Sequence, residues 1–214
     1  EGKLLERPII DLVQALEQLG VSATFHNGEC LPLTIKGGSL QGGTVNIPGH
    51  ISSQYISALL MVAPFAASDI KINVTTDMVS RSYVDETIAL MERQGVFVER
   101  ESYSQFSVHA GQCYRPIELT IPGDWTSASY FLATAALIPG RVKITGMDYD
   151  THLGESNFCD LLKQMGCVVN KGDDWIEVIG TTHLKGIEAD FSAMPDIVQT
   201  VAAIAPFADG ECRM

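Results

Sequence analysis

An internal repeat of about 70 to 75 residues constrains the fold more than any other feature of this sequence. Three amphipathic segments each end at a glycine, namely Gly20, Gly95 and Gly166. A glycine after the last turn is typical of a helix C-terminus, because glycine readily adopts the left-handed conformation needed there. Each glycine is followed by a strand, a polar turn and a second strand, which predicts three hairpins. The predicted turns are His26–Glu29, Glu101–Ser104 and Lys171–Asp174.

A second element also recurs and completes the repeating unit. Val45–Ala66 predicts the end of a strand, a break at Pro48-Gly49 and a buried helix over Ile51–Ala66. Similar segments are Leu119–Gly140 and Ala189–Gly210. Each unit therefore reads strand, helix, strand, helix, strand, strand. This order predicts the α/β (α+β) fold class with repeated βαβαββ units, and the lack of a G-x-G-x-x-G or P-loop motif argues against a doubly wound nucleotide-binding sheet.

Composition narrows the class of partner. The chain has 214 residues, is 46% hydrophobic and carries a net charge of −12, which indicates a globular protein with a core. The negative charge disfavours nucleic acid and anionic membranes as partners, because both carry the same sign. No apolar run has the length of a membrane span, and the first residues lack a signal-peptide pattern. Five cysteines without a Cys-x-x-Cys pair indicate reduced thiols, no zinc site and a cytoplasmic protein.

Ser52, Ser53 and Gln54 lie where the predicted strand gives way to the predicted helix. The first turn of a helix offers unpaired N–H groups and the positive end of the helix dipole. Two hydroxyls and a carboxamide added to such an end favour the binding of a phosphate or carboxylate. The alternative is that Ser52 only caps the helix.

Five motifs occur in the order found in one enzyme family. They are Glu6-Arg7-Pro8, the run Pro48–Met61 (PGHISSQYISALLM), Val79–Tyr83 (VSRSY), Gly123–Phe131 (GDWTSASYF) and Met194-Pro195-Asp196. Together they closely resemble the 5-enolpyruvylshikimate-3-phosphate synthase family, also called 3-phosphoshikimate 1-carboxyvinyltransferases. The resemblance covers essentially the whole chain and corresponds to the middle of a family member about twice as long.

The resemblance implies a two-lobed, enolpyruvyl transferase-like inside-out barrel, here truncated at both ends. Residues 1–121 would form part of the first lobe, on the shikimate-phosphate side, and residues 122–214 part of the second. The family's site lies in the cleft between its lobes. The implied full-length protein is a monomer.

The implied reaction transfers the enolpyruvyl group of phosphoenolpyruvate to the 5-hydroxyl of shikimate 3-phosphate and releases phosphate. It belongs to the shikimate pathway of aromatic amino acid biosynthesis. Its partners are these two small molecules, and the family requires no metal or organic cofactor.

The resemblance also carries roles to individual residues. The ligands of the shikimate phosphate would be Ser52, Ser53 and Ser80. Gln54 would touch both substrates, Tyr83 would contact shikimate, and Arg7 would bind phosphoenolpyruvate. Asp196 would accept the shikimate hydroxyls and act as general base.

Structural explanations stand beside these roles. Ser80 could cap the helix predicted over Tyr83–Gln94, and Asp196 could complement a helix dipole as a first-turn acid. Arg7 could be a surface charge and Tyr83 could be packing. Arg81 is a weaker candidate for a phosphate contact.

Other functions also remain open. The family's amino-terminal Lys-Ser, its Gly-rich loop and its carboxy-terminal cationic groups have no counterpart here, so we expect this chain alone to be inactive. One alternative is the related transferase that uses UDP-N-acetylglucosamine, which shares the repeat. Others are a non-catalytic α/β repeat scaffold, with the serines as caps only, and an isolated folding unit.

Overall fold

A computed structural model describes residues 2–138, 140–149 and 151–214 of the chain. Glu1 and Pro139, which belong to segments predicted above, and Asp150 lie outside the described residues. The chain divides into two compact units, one ending at Ile117 and the other starting at Glu118. The assignment of residues 1–121 and 122–214 to two lobes of a larger protein stays a prediction.

Among its described residues, the first unit contains three α-helices and six strands. They are α1 (Ile10–Gln18), β1 (Ser22–Asn27), β2 (Cys30–Lys36), β3 (Gly43–Ile47), α2 (Ser53–Val62), β4 (Ile70–Val74), α3 (Arg81–Arg93), β5 (Glu99–Glu101) and β6 (Gln105–Val108). Strands β1 and β2 form a separate hairpin, and the other four form a sheet in the order β3-β4-β6-β5. Strands β3 and β4 are parallel because α2 connects them, and the remaining pairs are antiparallel.

The core of the first unit lies on one face of this sheet. Alternate residues of the strands, including Val45, Ile47, Ile70 and Ile72, are fully buried, as expected for side chains of period two. The apolar side of α2 and α3 packs against them. Its buried members are Ile56, Leu59, Leu60, Val84, Ile88 and Met91. Both helices that follow the two parallel strands are therefore anchored on the same core.

The second unit has its own core, and its described residues form two small sheets. Its elements are α4 (Trp125–Leu137), β7 (Arg141–Thr145), α5 (Phe158–Gln164), β8 (Val168–Lys171), β9 (Trp175–Ile179), β10 (Leu184–Lys185), α6 (Val198–Ile204) and β11 (Ala208–Asp209). Antiparallel strands form a sheet in the order β7-β9-β8, and β10 pairs in parallel with β11. None of the helices within the described ranges is long and apolar enough to cross a membrane.

The three predicted helix ends share one hydrogen-bond pattern. Gly20, Gly95 and Gly166 have φ values of 88°, 86° and 101°. Each glycine N–H donates to the carbonyl three residues before it, and the next N–H donates five residues back. This is the arrangement of a Schellman-type C-cap. The hairpins β1–β2, β5–β6 and β8–β9 follow at the predicted turns, so the repeat is real in three dimensions.

The predicted bounds of the apolar helices need correction. Helix α2 begins at Ser53 rather than Ile51, because Ser52 is extended (φ −161°, ψ 124°). It ends at Val62 rather than Ala66, and Ala63–Phe65 forms a 3₁₀ turn, since Pro64 has no N–H to continue the helical pattern. The repeated Ala-Pro-Phe forms the same turn at Ala205–Phe207. Helix α3 begins two residues before its predicted start.

Candidate functional site

The predicted anion-binding residues Ser52, Ser53 and Gln54 lie at the start of α2. Ser52 is the N-cap, and its hydroxyl accepts a hydrogen bond of 3.3 Å from the Gln54 N–H. Ser53 is buried, with 4% of its surface exposed, while Gln54 is exposed. A hydroxyl has one proton and two lone pairs, so the Ser52 hydroxyl can cap the helix and still donate to a ligand. Capping and ligand binding are therefore compatible at this residue.

Ser80 lies at the start of α3, but it does not cap that helix as predicted. Within the described part of the chain its hydroxyl makes no capping hydrogen bond. Its backbone is in the left-handed region (φ 50°, ψ 48°), which is unusual for a residue other than glycine. The capping explanation for Ser80 is wrong, because this conformation differs from the extended one that lets an N-cap side chain reach the next N–H groups. Tyr83, in the first turn of α3, is half-buried.

Gly49 brings the starts of α2 and α3 side by side. The loop that follows β3 carries Gly49, and the Val79 N–H in the loop that follows β4 donates to the Gly49 carbonyl at 3.2 Å. A Cβ on Gly49 would lie 2.6 Å from Val74 Cγ1 and 2.9 Å from the Thr76 carbonyl oxygen. Parallel neighbouring strands end at the same sheet edge, so both loops leave from that edge. The structure thus joins the segments that carry Ser52 and Ser80.

A hydrogen bond ties the Arg7 segment to α2. The Tyr55 hydroxyl, in the first turn of α2, donates to the Pro8 carbonyl at 3.1 Å. Burial raises the pKa of Tyr55, and the negative charge of Asp11 raises it further. The hydroxyl therefore remains a donor over the physiological pH range. Arg7 is exposed, next to the bonded Pro8, so its charge remains available to a ligand.

Arg81 is directed to a neighbouring tyrosine. Its Nε donates to the Met78 carbonyl at 3.2 Å, and its guanidinium lies 4.8 Å from the ring centroid of Tyr103. Both Arg81 and Tyr103 line a cavity of about 320 Å³. The Tyr103 hydroxyl donates to Asp85 at 2.6 Å, which together with burial raises the pKa of Tyr103. Asp85 also pairs with Arg100, so the β5–β6 hairpin, which carries Arg100 and Tyr103, is fixed to α3 by charge-assisted bonds.

Asp196, the predicted base, belongs to the second unit. It lies in the 3₁₀ turn Pro195–Ile197, directly before α6, and its side chain is exposed. Thr200 and Ile197 around it are buried, so the turn is anchored while the carboxylate remains at the surface. Asp196 thus lies at the surface of the second unit.

Asp124 is another acidic residue at a helix start in the second unit, and its role is structural. It caps α4 by accepting hydrogen bonds from the N–H groups of Thr126 (3.2 Å) and Ser127 (2.9 Å). The Ser127 hydroxyl also donates to it, and these bonds lower the pKa of Asp124. A carboxylate engaged in this way is held ionised at the positive end of the helix.

The described residues hold no group of three or more histidine, cysteine, aspartate or glutamate side chains placed to bind a metal ion. The candidate residues of the first unit are instead hydroxyls, a carboxamide and the exposed charge of Arg7. The predicted helix start indicated Ser52, Ser53 and Gln54, and the resemblance to the enzyme family indicated the others. Sequence reasoning missed the close contact between the two loops at Gly49. The signal that could have indicated it is Ile-Pro-Gly, which occurs at Ile47–Gly49 and again at Ile121–Gly123.

Curated relatives match the chain throughout. The 3-phosphoshikimate 1-carboxyvinyltransferase of Shewanella denitrificans is 44% identical over 213 residues, which is 99% of this chain and 50% of the relative. The enzyme of that name from Methanoculleus marisnigri is 42% identical over 203 residues, which is 95% of this chain and 48% of the relative. The chain thus spans about half the length of the curated relatives it matches.

Solved structures share the fold. An EPSP synthase from Acinetobacter baumannii superposes with a TM-score of 0.73 at 22% identity, covering 100% of this chain and 49% of that one. The enolpyruvyl transferase NikO from Streptomyces tendae gives a TM-score of 0.70 at 15% identity, and the match covers 94% of this chain and 49% of NikO. These likenesses confirm the predicted mixed α/β fold. The family model for EPSP synthase (3-phosphoshikimate 1-carboxyvinyltransferase) matches residues 1–214, and the chain therefore belongs to the EPSP synthase family.

Proposed function

We propose that the protein containing this chain transfers the enolpyruvyl group of phosphoenolpyruvate to the 5-hydroxyl of shikimate 3-phosphate. The observation that carries this proposal is the pair of hydroxyls at Ser52 and Ser80, which lie on two helix starts joined by the Gly49–Val79 hydrogen bond. Two hydroxyls beside helix N–H groups suit a phosphate dianion. The reaction uses two small-molecule substrates and no cofactor, and we place it in the cytoplasm.

The first unit would hold the substrates. Ser52, Ser53 and Ser80 bind the phosphate of shikimate 3-phosphate, and Tyr83 packs against its ring. Gln54, exposed one residue beyond Ser53, contacts both substrates. Arg7 binds an anionic group of phosphoenolpyruvate, because a guanidinium presents several donors to one oxyanion.

Asp196 would take the proton from the 5-hydroxyl as that oxygen attacks C2 of phosphoenolpyruvate. A proton added to C3 completes a tetrahedral adduct. Loss of a C3 proton and cleavage of the C2–O bond to phosphate then restore the C2–C3 double bond, which gives the enol ether product and inorganic phosphate. General base catalysis of the first step is worth about 10²- to 10⁴-fold in rate.

Phosphate release from the two substrates, measured on the full-length protein, tests this function. We expect Asp196→Asn to lower kcat by about 10²-fold or more, because the amide cannot accept the proton. UDP-N-acetylglucosamine should not replace shikimate 3-phosphate as the acceptor. Turnover with the UDP-sugar as acceptor, and none with shikimate 3-phosphate, would overturn the proposal. The 214-residue chain assayed by itself should show no turnover.

Ser80→Ala gives the sharpest test of the phosphate site. The Ser80 hydroxyl makes no capping bond within the described residues, so its removal should leave the unfolding midpoint nearly unchanged. A lost hydrogen bond to a charged group costs about 1.5–3 kcal/mol, which raises the dissociation constant of shikimate 3-phosphate roughly 10- to 150-fold. Ser68→Ala is the matched control, because Ser68 donates to the Gln41 carbonyl at 2.9 Å, away from both helix starts. Equal affinities in the two variants would exclude Ser80 as a ligand.

A further inference from the structure

Thr76 connects the two loops that carry the proposed phosphate ligands. It lies between β4 and α3, and its hydroxyl oxygen accepts hydrogen bonds from the N–H groups of Gly49 (3.0 Å) and His50 (3.2 Å), between β3 and α2. The same oxygen lies 2.8 Å from His50 Nδ1. Two N–H donors occupy both lone pairs of the hydroxyl, so its proton is directed to Nδ1. The whole hydrogen-bonding capacity of the Thr76 hydroxyl is thus used between the two loops.

Backbone bonds lie on either side of this contact. The Thr75 N–H donates to the Ile47 carbonyl at 3.0 Å, and the Val79 N–H donates to the Gly49 carbonyl at 3.2 Å. The first extends the parallel β3–β4 pairing by one step beyond the strands. The Thr76 hydroxyl therefore supplies the side-chain bonds at the point where the ladder ends and the loops begin. Ser52 and Ser80 follow within a few residues of it.

We propose that Thr76 is a positioning residue for phosphate binding: it fixes the separation of the Ser52 and Ser80 hydroxyls without touching the substrate. This inference rests on the proposed function of those serines. Two donors can bind one phosphate together only when their spacing matches the distance between its oxygens. Groups at such sites must be held to within about 0.5 Å, and a displacement of about 1 Å can cost about 10²-fold.

The physical reason for a hydroxyl at this position is its ability to accept two bonds at once. Valine has nearly the same shape as threonine but accepts none, so it leaves two loop N–H groups without their partner. Serine keeps the oxygen and should keep the spacing. Alanine leaves room for water to reach the same N–H groups, because Thr76 is exposed.

Steady-state kinetics of the full-length protein test the role of Thr76. In Thr76→Val we expect the KM for shikimate 3-phosphate to rise about tenfold or more, while the KM for phosphoenolpyruvate changes less than about twofold. Thr76→Ala should remain folded and should likewise raise the KM for shikimate 3-phosphate far more than the KM for phosphoenolpyruvate. Thr76→Ser should restore the KM for shikimate 3-phosphate to within about threefold of the original value.

Ser57→Ala is the matched control. The Ser57 hydroxyl lies 2.8 Å from Thr87 Oγ1 and joins α2 to α3 in their second turns, away from the helix starts. Its loss should lower stability and leave both KM values unchanged. The inference is overturned if folded Thr76→Val and Thr76→Ala keep the original KM values, if Ser57→Ala produces the same split, or if both Thr76 variants unfold. Failure of the unmodified protein to use shikimate 3-phosphate would instead refute the proposed function.

Discussion

Substitution of Gly49 by alanine tests whether the two loops are as closely interlocked as the structure indicates. A Cβ there would lie 2.6 Å from Val74 Cγ1, 2.9 Å from the Thr76 carbonyl oxygen and 3.0 Å from Met78 Cα. Two of these three atoms belong to the backbone and the third to a stiff β-branched side chain. None of them can rotate away, so the loop after β4 must move.

The expected cost follows from two opposing terms. Overpacking of this kind costs about 1–3 kcal/mol. Replacing glycine by alanine also restricts the unfolded chain, which returns about 0.4–1 kcal/mol. The net loss of unfolding free energy should therefore be about 1–2 kcal/mol, which lowers the unfolding midpoint by roughly 4–8 °C for a unit of this size.

Two other glycines give graded controls. Gly123, in the repeated Ile-Pro-Gly of the second unit, would place its Cβ 2.8 Å from Met147 Sδ, the flexible part of a long side chain. Gly123→Ala should therefore cost less than about 1 kcal/mol, since methionine adapts readily. Around Gly38 no described atom lies within 4 Å of the added Cβ, so Gly38→Ala should change stability by less than about 0.5 kcal/mol.

Thermal and urea unfolding followed by circular dichroism measure all three variants. The reasoning predicts the order Gly49→Ala, then Gly123→Ala, then Gly38→Ala, from the most to the least destabilised. A midpoint for Gly49→Ala equal to that of Gly38→Ala would refute it, because the loops would then yield without cost.

Three further predictions concern capping, tethering and thiol reactivity. Asp124→Ala should lower the free energy of unfolding by about 1 kcal/mol at pH 7. Because hydrogen bonds lower the pKa of Asp124 in the folded protein, this stabilisation is present above the ordinary aspartate pKa and is lost as the pH falls through the folded-state value. The urea midpoints of the variant and the original protein should therefore converge in acid. Tyr55→Phe removes the bond to the Pro8 carbonyl and should cost about 1 kcal/mol, with faster amide exchange near Arg7 as the sign of a loosened segment and unchanged exchange as the contrary result. Burial raises the pKa of Cys159 to about 12, so iodoacetamide at pH 8 should modify the exposed Cys113 and spare Cys159 in the folded protein; peptide mapping that finds both modified equally would contradict this.

Local signals in the sequence predicted the repeat because each depends on only a few neighbouring residues. The prediction of a helix end from a glycine uses only the last turn of the helix before it. The helix ends at Gly20, Gly95 and Gly166 and the three hairpins are therefore confirmed. The end of α2 was misjudged because apolar periodicity continues through Pro64, whereas the hydrogen-bond pattern changes there.

Features that depend on contacts between distant segments could not be predicted in this way. The left-handed conformation of Ser80 is one, since the loop before it is bonded to Gly49, some thirty residues earlier. The bonds of the Thr76 hydroxyl are another, because threonine in a loop has no distinctive spacing. Serines at helix starts were visible in the sequence, but their relation to each other needed the packing of two parallel strands.

The backbone of Ser80 sets thermodynamic stability against ligand recognition at one residue. A left-handed conformation costs a side-chain-bearing residue roughly 1–2 kcal/mol that glycine does not incur. A search for heat-resistant variants of this chain should therefore select glycine at position 80, and the same change would remove the hydroxyl proposed to bind phosphate. A serine at this position is what selection for a ligand, rather than for stability, would produce.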